Sequence, residues 1–294
     1  MCARRSNRHR IWLAAALLAA PLLSGCSSPP DTPTDPLSSS VTTDTEGSGL
    51  LDGQEKSFVI VGYSTSYAWP EMLQDMLDEH AGNHRVYHVL NAVAGGAPVE
   101  HWIAEPGDPN YKRTIGAMQS DFFGDDARLR GDAPPPSIAV CQQSLQFTMD
   151  LRGPVKAEHD MVGAEMGADA IEKMALRLRD LGLAQVHIAM HIYKQPVEPE
   201  VGNERIALAR LLDRGHDFVH QGPDICTVTR DCYPDCFEDD GLHPNVVGTK
   251  LMAEHWYRHI AGTDAREDIV ERMQDRDYEI RPMMQEYLAW RRGE

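Results

Sequence analysis

Phe58-Val59-Ile60-Val61-Gly62-Tyr63-Ser64-Thr65-Ser66-Tyr67-Ala68-Trp69-Pro70-Glu71-Met72-Leu73 turns from a buried strand into a helix with little between them. Phe58 to Val61 is a run of large apolar residues closed by Gly62, and from Trp69 to Glu79 the apolar positions Met72, Leu73, Met76 and Leu77 recur at helical spacing. A short buried strand followed at once by an amphipathic helix is the building unit of a parallel α/β sheet.

The pattern continues downstream. Arg85 to Leu90 is a second strand, followed by a Gly95-Gly96 turn and a helix around Tyr111 to Phe122. Beyond Pro134-Pro135-Pro136, Ser137 to Cys141 is a third strand, Gly163 to Leu181 a long amphipathic helix ending near Gly182, and Val186 to Tyr193 a fourth strand. Asn203 to Leu212 reads as helix, Asp217 to His220 as a short fifth strand, and Val246 to Ile260 as the helix that closes the domain. The expected fold class is α/β, a three-layer α/β/α doubly wound, flavodoxin-like parallel sheet of about five strands with a C-terminal helical extension. Ligands of such sheets sit at the carboxyl ends of the strands, so the chemistry belongs to the turns after them. In residues 263–294, Met283, Met284, Tyr287, Leu288 and Trp290 fall near helical spacing, and the expectation is a helix packed on the domain.

Composition narrows the function. The 294 residues carry 28 Lys+Arg against 45 Asp+Glu, a net charge of −17, which argues against nucleic acid and against anionic lipid as partners. With 42% hydrophobic and 25% charged residues the chain is an ordinary globular protein. Its first residues are basic, with Arg4, Arg5, Arg8 and Arg10, and Ile11 to Leu23 is an apolar run too short for a stable membrane span. This reads as an export signal over residues 1–25. The stretch Leu23-Ser24-Gly25-Cys26 resembles the lipobox of bacterial lipoproteins, which implies cleavage before Cys26 and lipidation of its thiol; Ser27 after it resembles the pattern of outer-membrane lipoproteins, with sidedness open. Membrane contact is then expected through this lipid alone. Residues 26–54 are Ser, Thr, Pro, Asp and Gly with hardly a large apolar side chain, a flexible tether. A folded domain is expected over residues 55–262 and the C-terminal extension over 263–294.

The post-strand turns collect a serine (Ser64), a glycine turn (Gly95-Gly96), amide side chains (Gln142, Gln143, with Ser144 beside them) and the pair Asp240 and His243. A serine hydroxyl needs a base within hydrogen-bond reach and a third group to fix the base's tautomer. Asp-x-x-His meets the second need locally, because a short turn lets the Asp240 carboxylate bond one ring nitrogen of His243 while the other faces Ser64. Backbone N–H groups of Ser64 and Gly96 are candidate oxyanion donors.

This arrangement resembles the SGNH, or GDSL-type, hydrolase family over roughly residues 56–261. Phe58 to Leu73 is similar to its strand, Gly-Asp-Ser block and following helix; Asn91-Ala92-Val93-Ala94-Gly95-Gly96 has the spacing of its second block; Asp240-Gly241-Leu242-His243-Pro244-Asn245 is similar to its terminal Asp-x-x-His block. The resemblance implies Ser64 as nucleophile, His243 as base, Asp240 as its orienting carboxylate, Gly96 as oxyanion glycine, and no metal or cofactor. Two departures stand out. Tyr63 occupies the place of the family's Asp, and Cys141-Gln142-Gln143-Ser144 replaces its Gly-x-Asn-Asp, so Gln142 or Gln143, and less so Ser144, is expected to supply the amide donor. Ser66 is a neighbouring competitor of Ser64.

The expected activity is a lipid-anchored serine esterase acting on a small ester or an acylated glycan, with O-acetyl groups on polysaccharide as the leaning. An acyltransferase using the same triad and a non-catalytic glycan-binding protein are the alternatives. His187 and His191, placed on one strand face about 13 Å apart, are too far apart to share an ion. With His216 and His220 they are expected to be structural, and no metal is expected. Cys141, Cys226, Cys232 and Cys236 should oxidise in an exported protein, with one bridge inside the 226–236 loop and one from that loop to Cys141.

Overall fold

The structure, a computed structural model, describes residues 49–143, 161–193 and 198–292. The export signal, Cys26, most of the tether and Ser144 lie outside the described residues. Five parallel strands form one sheet in the order β2-β1-β3-β4-β5: β1 is Lys56–Gly62, β2 Tyr87–Asn91, β3 Ile138–Gln142, β4 Gln185–Ile188 and β5 Val219–Gln221. The expected three-layer α/β/α fold is the observed one. Helix α1 (Trp69–His80) follows β1. Three short helices, α2 (Val99–Trp102), α3 (Pro109–Arg113) and α4 (Ile115–Phe122), lie between β2 and β3. Next come α5 (Met161–Asp180), α6 (Glu198–Asp213), α7 (Ile225–Asp231) and α8 (Val246–Ala261), and then α9 (Glu267–Asp275) and α10 (Ile280–Arg292) in the extension. Helices α1 and α8 pack together on one face of the sheet, α5 and α6 on the other.

The apolar runs bury both faces of the central strands. Phe58, Val59, Ile60 and Val61 are fully buried, as are Ala139, Val140 and Cys141 on β3 beside them. Trp69 on α1 stacks against Trp256 on α8 with ring centroids 6.0 Å apart, a contact that locks the two helices of that layer. The pairing of β1 with β3 brings Gly62 opposite Gln142, so the two central strands end side by side. The turn after β1 therefore opens where a doubly wound sheet places its ligands.

Several elements depart from the sequence expectation. Helix around Tyr111 to Phe122 is two helices, because the backbone breaks at Thr114 (φ −116°, ψ −101°), whose hydroxyl donates within 2.8 Å of the carbonyls of His101 and Asn110. The fourth strand stops at Ile188. Beyond it side chains take over as partners: Met190 C=O accepts from Gln142 Nε2, and the His191 and Tyr193 N–H groups donate to Glu204 and Thr229. Apolar content there reflects burial and not a ladder. Helix α7 was not expected; Asp224 caps it by accepting from the Thr227 N–H at 3.0 Å. The extension is two helices, not one. The folded part also begins before residue 55, since the Leu50 N–H donates to Ile260 C=O at 2.7 Å and Leu51 is buried.

Candidate active site

Ser64 opens a single 3₁₀ turn, Ser64–Ser66, after an extended Tyr63 (φ −129°, ψ −166°). The turn is closed by the Ser66 N–H donating to Tyr63 C=O at 2.8 Å, and it packs so tightly on the strand end that a Cβ on Gly62 would lie 2.9 Å from Ser66 Oγ. Thr65 and Ser66 are buried, while Ser64 is half-exposed. Ser66, the competing serine, therefore faces inward, and Ser64 is the one that reaches a histidine.

That histidine is His243, from a turn 179 residues downstream; its Nε2 lies 2.9 Å from Ser64 Oγ. The other ring nitrogen, Nδ1, lies 2.6 Å from Asp240 Oδ2. Asp240 is held in turn, its Oδ1 accepting from the N–H groups of Leu242 and His243, both at 2.9 Å. Burial would raise the Asp240 carboxyl, but the hydrogen bonds from the His243 ring and from the two backbone N–H groups outweigh it and bring it down to about 2. An ionised Asp240 keeps the proton on Nδ1 and leaves the Nε2 lone pair free to accept from the Ser64 hydroxyl.

The turn carrying this pair is braced from below. Glu238 N–H donates to His243 C=O at 2.8 Å, and Phe237 and Pro244 form an isolated antiparallel bridge. Asn245 caps α8 through its Oδ1 and donates its Nδ2 to the carbonyls of Asp235 (2.8 Å) and Phe237 (3.1 Å). Gly248 lets α8 lie against Cys236, whose carbonyl a Cβ would meet at 2.2 Å. Cys236 is bonded to Cys232, the one disulfide among the described residues. The second expected bridge, to Cys141, is not formed: Cys141 and Cys226 are both free and buried. Cys141 points into the sheet packing, where burial pushes its thiol far up, and burial raises Cys226 to about 12, so both behave as small apolar groups.

Opposite the triad, the loop after β2 runs from Asn91 to Ala97. Asn91 is a turn former: its Oδ1 accepts from the Val93 N–H at 3.1 Å and its Nδ2 donates to Tyr67 C=O at 3.3 Å. The Ala94 N–H donates to Gly62 C=O at 3.1 Å, tying this loop to the turn that carries Ser64. Gly96 adopts φ +62°. Neither its N–H nor that of Ser64 finds an acceptor among the described residues, as donors reserved for a ligand oxygen require.

The two glutamines after β3 divide. Gln142 is wholly buried with its carboxamide committed to the core, Nε2 donating to Met190 C=O at 2.7 Å and Oε1 accepting from Trp256 Nε1 at 3.1 Å, so it is not the expected oxyanion donor. Gln143 faces the other way. With its carboxamide turned so that the oxygen meets the donors around it, that oxygen accepts from Trp102 Nε1 at 2.7 Å and from the Gly62 N–H at 3.3 Å, beside the Ser64 turn. The side chain of Tyr63 is paired with His191, hydroxyl to Nε2, with the rings stacked 5.3 Å apart, and both are buried. His191, expected on the fourth strand on the same face as His187, lies beyond that strand and supports Tyr63, the residue before Ser64.

His187 belongs elsewhere, in a cluster with His220 (ring centroids 4.8 Å) and His259 (Nδ1 to Nε2 2.9 Å). His216 bonds Glu172 at 2.6 Å. Among the described residues no group of three or more His, Cys, Asp and Glu side chains is arranged to hold a metal ion, and no helix is long and apolar enough to cross a membrane.

No protein-family model and no curated protein matches the chain. Solved structures do. A carbohydrate esterase family 3 protein from Talaromyces cellulolyticus is 11% identical with a TM-score of 0.50, over 76% of this chain and 100% of that one. TesA is 14% identical with a TM-score of 0.49, over 71% of this chain and 100% of its own. An Axe2 variant, an acetyl-xylooligosaccharide esterase from Geobacillus, is 12% identical with a TM-score of 0.48, over 72% and 97%. At these identities the likeness to the Talaromyces protein shows the fold, which the chain shares with an esterase.

Proposed function

We propose that the chain is an SGNH-type serine esterase that cleaves carboxylic esters through an acyl-enzyme. The observation that carries this is the continuous relay from Asp240 through His243 to Ser64, together with two backbone N–H groups, of Ser64 and Gly96, that have no acceptor among the described residues. Ser64 Oγ attacks the ester carbonyl as its proton passes to His243 Nε2. The carbonyl oxygen, now an anion, is held by the N–H groups of Ser64 and Gly96, with the Gln143 amide beside the turn as a third donor. Collapse expels the alkoxide, which takes the proton from His243, and leaves the acyl group on Ser64. Water, deprotonated by the same imidazole, then releases the carboxylate. Every step uses side chains and backbone of this chain. O-acetyl groups on polysaccharide are the proposed substrates, and Cys26 the proposed lipid anchor of an exported protein.

The test is turnover of p-nitrophenyl acetate by the full chain beside Ser64→Ala, His243→Ala and Asp240→Asn, with fluorophosphonate labelling located by mass spectrometry. Wild type should turn over and take the label on Ser64; the alanine variants should do neither, and Asp240→Asn should lose about three to four orders of magnitude in kcat. A label elsewhere, or equal rates in wild type and Ser64→Ala, would refute the assignment. Adding sugar acceptors to the same assay separates hydrolysis from acyl transfer, because only a transferase diverts acetate to the sugar.

A further inference from the structure

The extension reaches back to the site. Helix α9 is fastened to α1 by Arg272 to Glu79 (2.8 Å), and the segment after it by Arg276 (2.7 Å) and the Tyr278 hydroxyl (3.0 Å) to Asp75. This delivers α10 to the loop between Asn91 and Ala97. There the buried Tyr287 hydroxyl donates to Val93 C=O, and its ring lies 5.5 Å from that of Tyr67, the residue that follows the nucleophile turn. From the exposed side Arg113 Nη2 donates to Gly95 C=O at 2.7 Å. Gly95 itself rests on Tyr67, where a Cβ would meet the hydroxyl at 1.9 Å.

A Gly-Gly turn is pliable backbone, and an oxyanion donor works only if it is fixed before charge develops. The Val93 carbonyl belongs to the Val93–Ala94 peptide, and the Gly95 carbonyl to the Gly95–Gly96 peptide, the same unit that carries the Gly96 N–H. Bonding both sets the direction of the Gly96 N–H. Neither bonded side chain belongs to the triad or to its turn. We propose that Tyr287 and Arg113 are positioning residues for the oxyanion hole, so that the C-terminal extension is part of the catalytic apparatus and not an appended module. The inference rests on the esterase reading.

The experiment compares the full chain with Tyr287→Phe and Arg113→Met, reading kcat, KM, the rate of phosphonylation of Ser64 and the melting temperature. Arg113 is exposed, so its replacement leaves folding intact, and Leu288→Ala on the outer side of α10 serves as a control for the helix itself. Each of the two variants should lose about tenfold in kcat and in phosphonylation rate, the cost of one lost hydrogen bond, with KM within twofold and the melting temperature close to wild type. Leu288→Ala should match wild type. An active wild type with kcat unchanged in both variants, or a loss of kcat that merely follows a loss of folded protein, overturns the inference and leaves the esterase reading standing. A wild type that neither turns over ester nor takes the phosphonate overturns both.

Discussion

Lowering the pH from 7 to 5 should destabilise this protein through the buried pair of His187 on β4 and His259 on α8. His187 Nε2 bonds Gln185 Oε1 at 3.0 Å, so that nitrogen carries the proton and Nδ1 accepts from His259 Nε2. That pattern requires a neutral His187 ring. Burial and then neighbouring histidines bring His187 down to about 3, and burial and then His220 bring His259 down to about 4. In the unfolded chain both have the ordinary value of 6.5. Their folded values are depressed, so the unfolded state binds more protons between the two limits, and stability present above 6.5 is lost as the pH falls. At pH 5 an unfolded histidine is almost fully protonated and a folded one here is not, so each ring costs about 2 kcal/mol between pH 7 and pH 5, and the pair about 4 kcal/mol. This figure hardly depends on the folded value once that value is a unit or more below 5. The assay is urea unfolding at both pH values for wild type and His259→Gln, which keeps an N–H for His187 but takes up no proton. The variant should lose about 2 kcal/mol less than wild type over that interval. An unchanged pH dependence in His259→Gln would refute the reasoning.

Other outcomes follow from the same geometry. Replacing Cys232 and Cys236 by serine opens a short loop whose closure is worth about 2 kcal/mol; the melting temperature should drop by about 4–8 °C, and turnover should fall because Cys236 C=O anchors the N–H of Asn245 at 3.1 Å beneath the Asp240 turn. Thermal melts and ester turnover of the double variant check both halves. Gly95→Ala, which drives a Cβ into the Tyr67 hydroxyl, should cost between about ten- and a hundredfold in kcat with Ser64 still present, since the oxyanion loop must move. Ser66→Ala should keep wild-type turnover, because its buried hydroxyl has no partner among the described residues and its removal leaves none unpaired. Loss comparable to Ser64→Ala would transfer the nucleophile's role to Ser66.

Much of this was legible in the sequence where the signal is local. The strand-to-helix switch at Phe58 to Leu73 fixes β1 and α1 to within a residue or two, and Asp240-x-x-His243 is close enough in the chain for its geometry to follow from spacing alone. Gln142 and Gln143 were not separable, because adjacent residues leaving a strand point to opposite faces and only the helices above them decide which faces the core. His191 was misplaced because an apolar run does not announce where its ladder stops. The disulfide partner of Cys236 was one of several possibilities that differ only in three-dimensional distance. Tyr287 is marked in the sequence only as one position of an apolar helical face; its target is not, because two turns and a helix deliver it to a loop far upstream.

The contact between Ser64 and His243 joins the first strand of the domain to its last loop. A ribosome releases Ser64 long before the segment bearing its base, and a chain passed through a membrane emerges in the same order. Every shorter nascent fragment therefore carries an unactivated hydroxyl. Under the proposed mechanism Ser64 gains its base only when the segment bearing Asp240 and His243 has been made and docked, which would confine acylation to chains that extend through that segment.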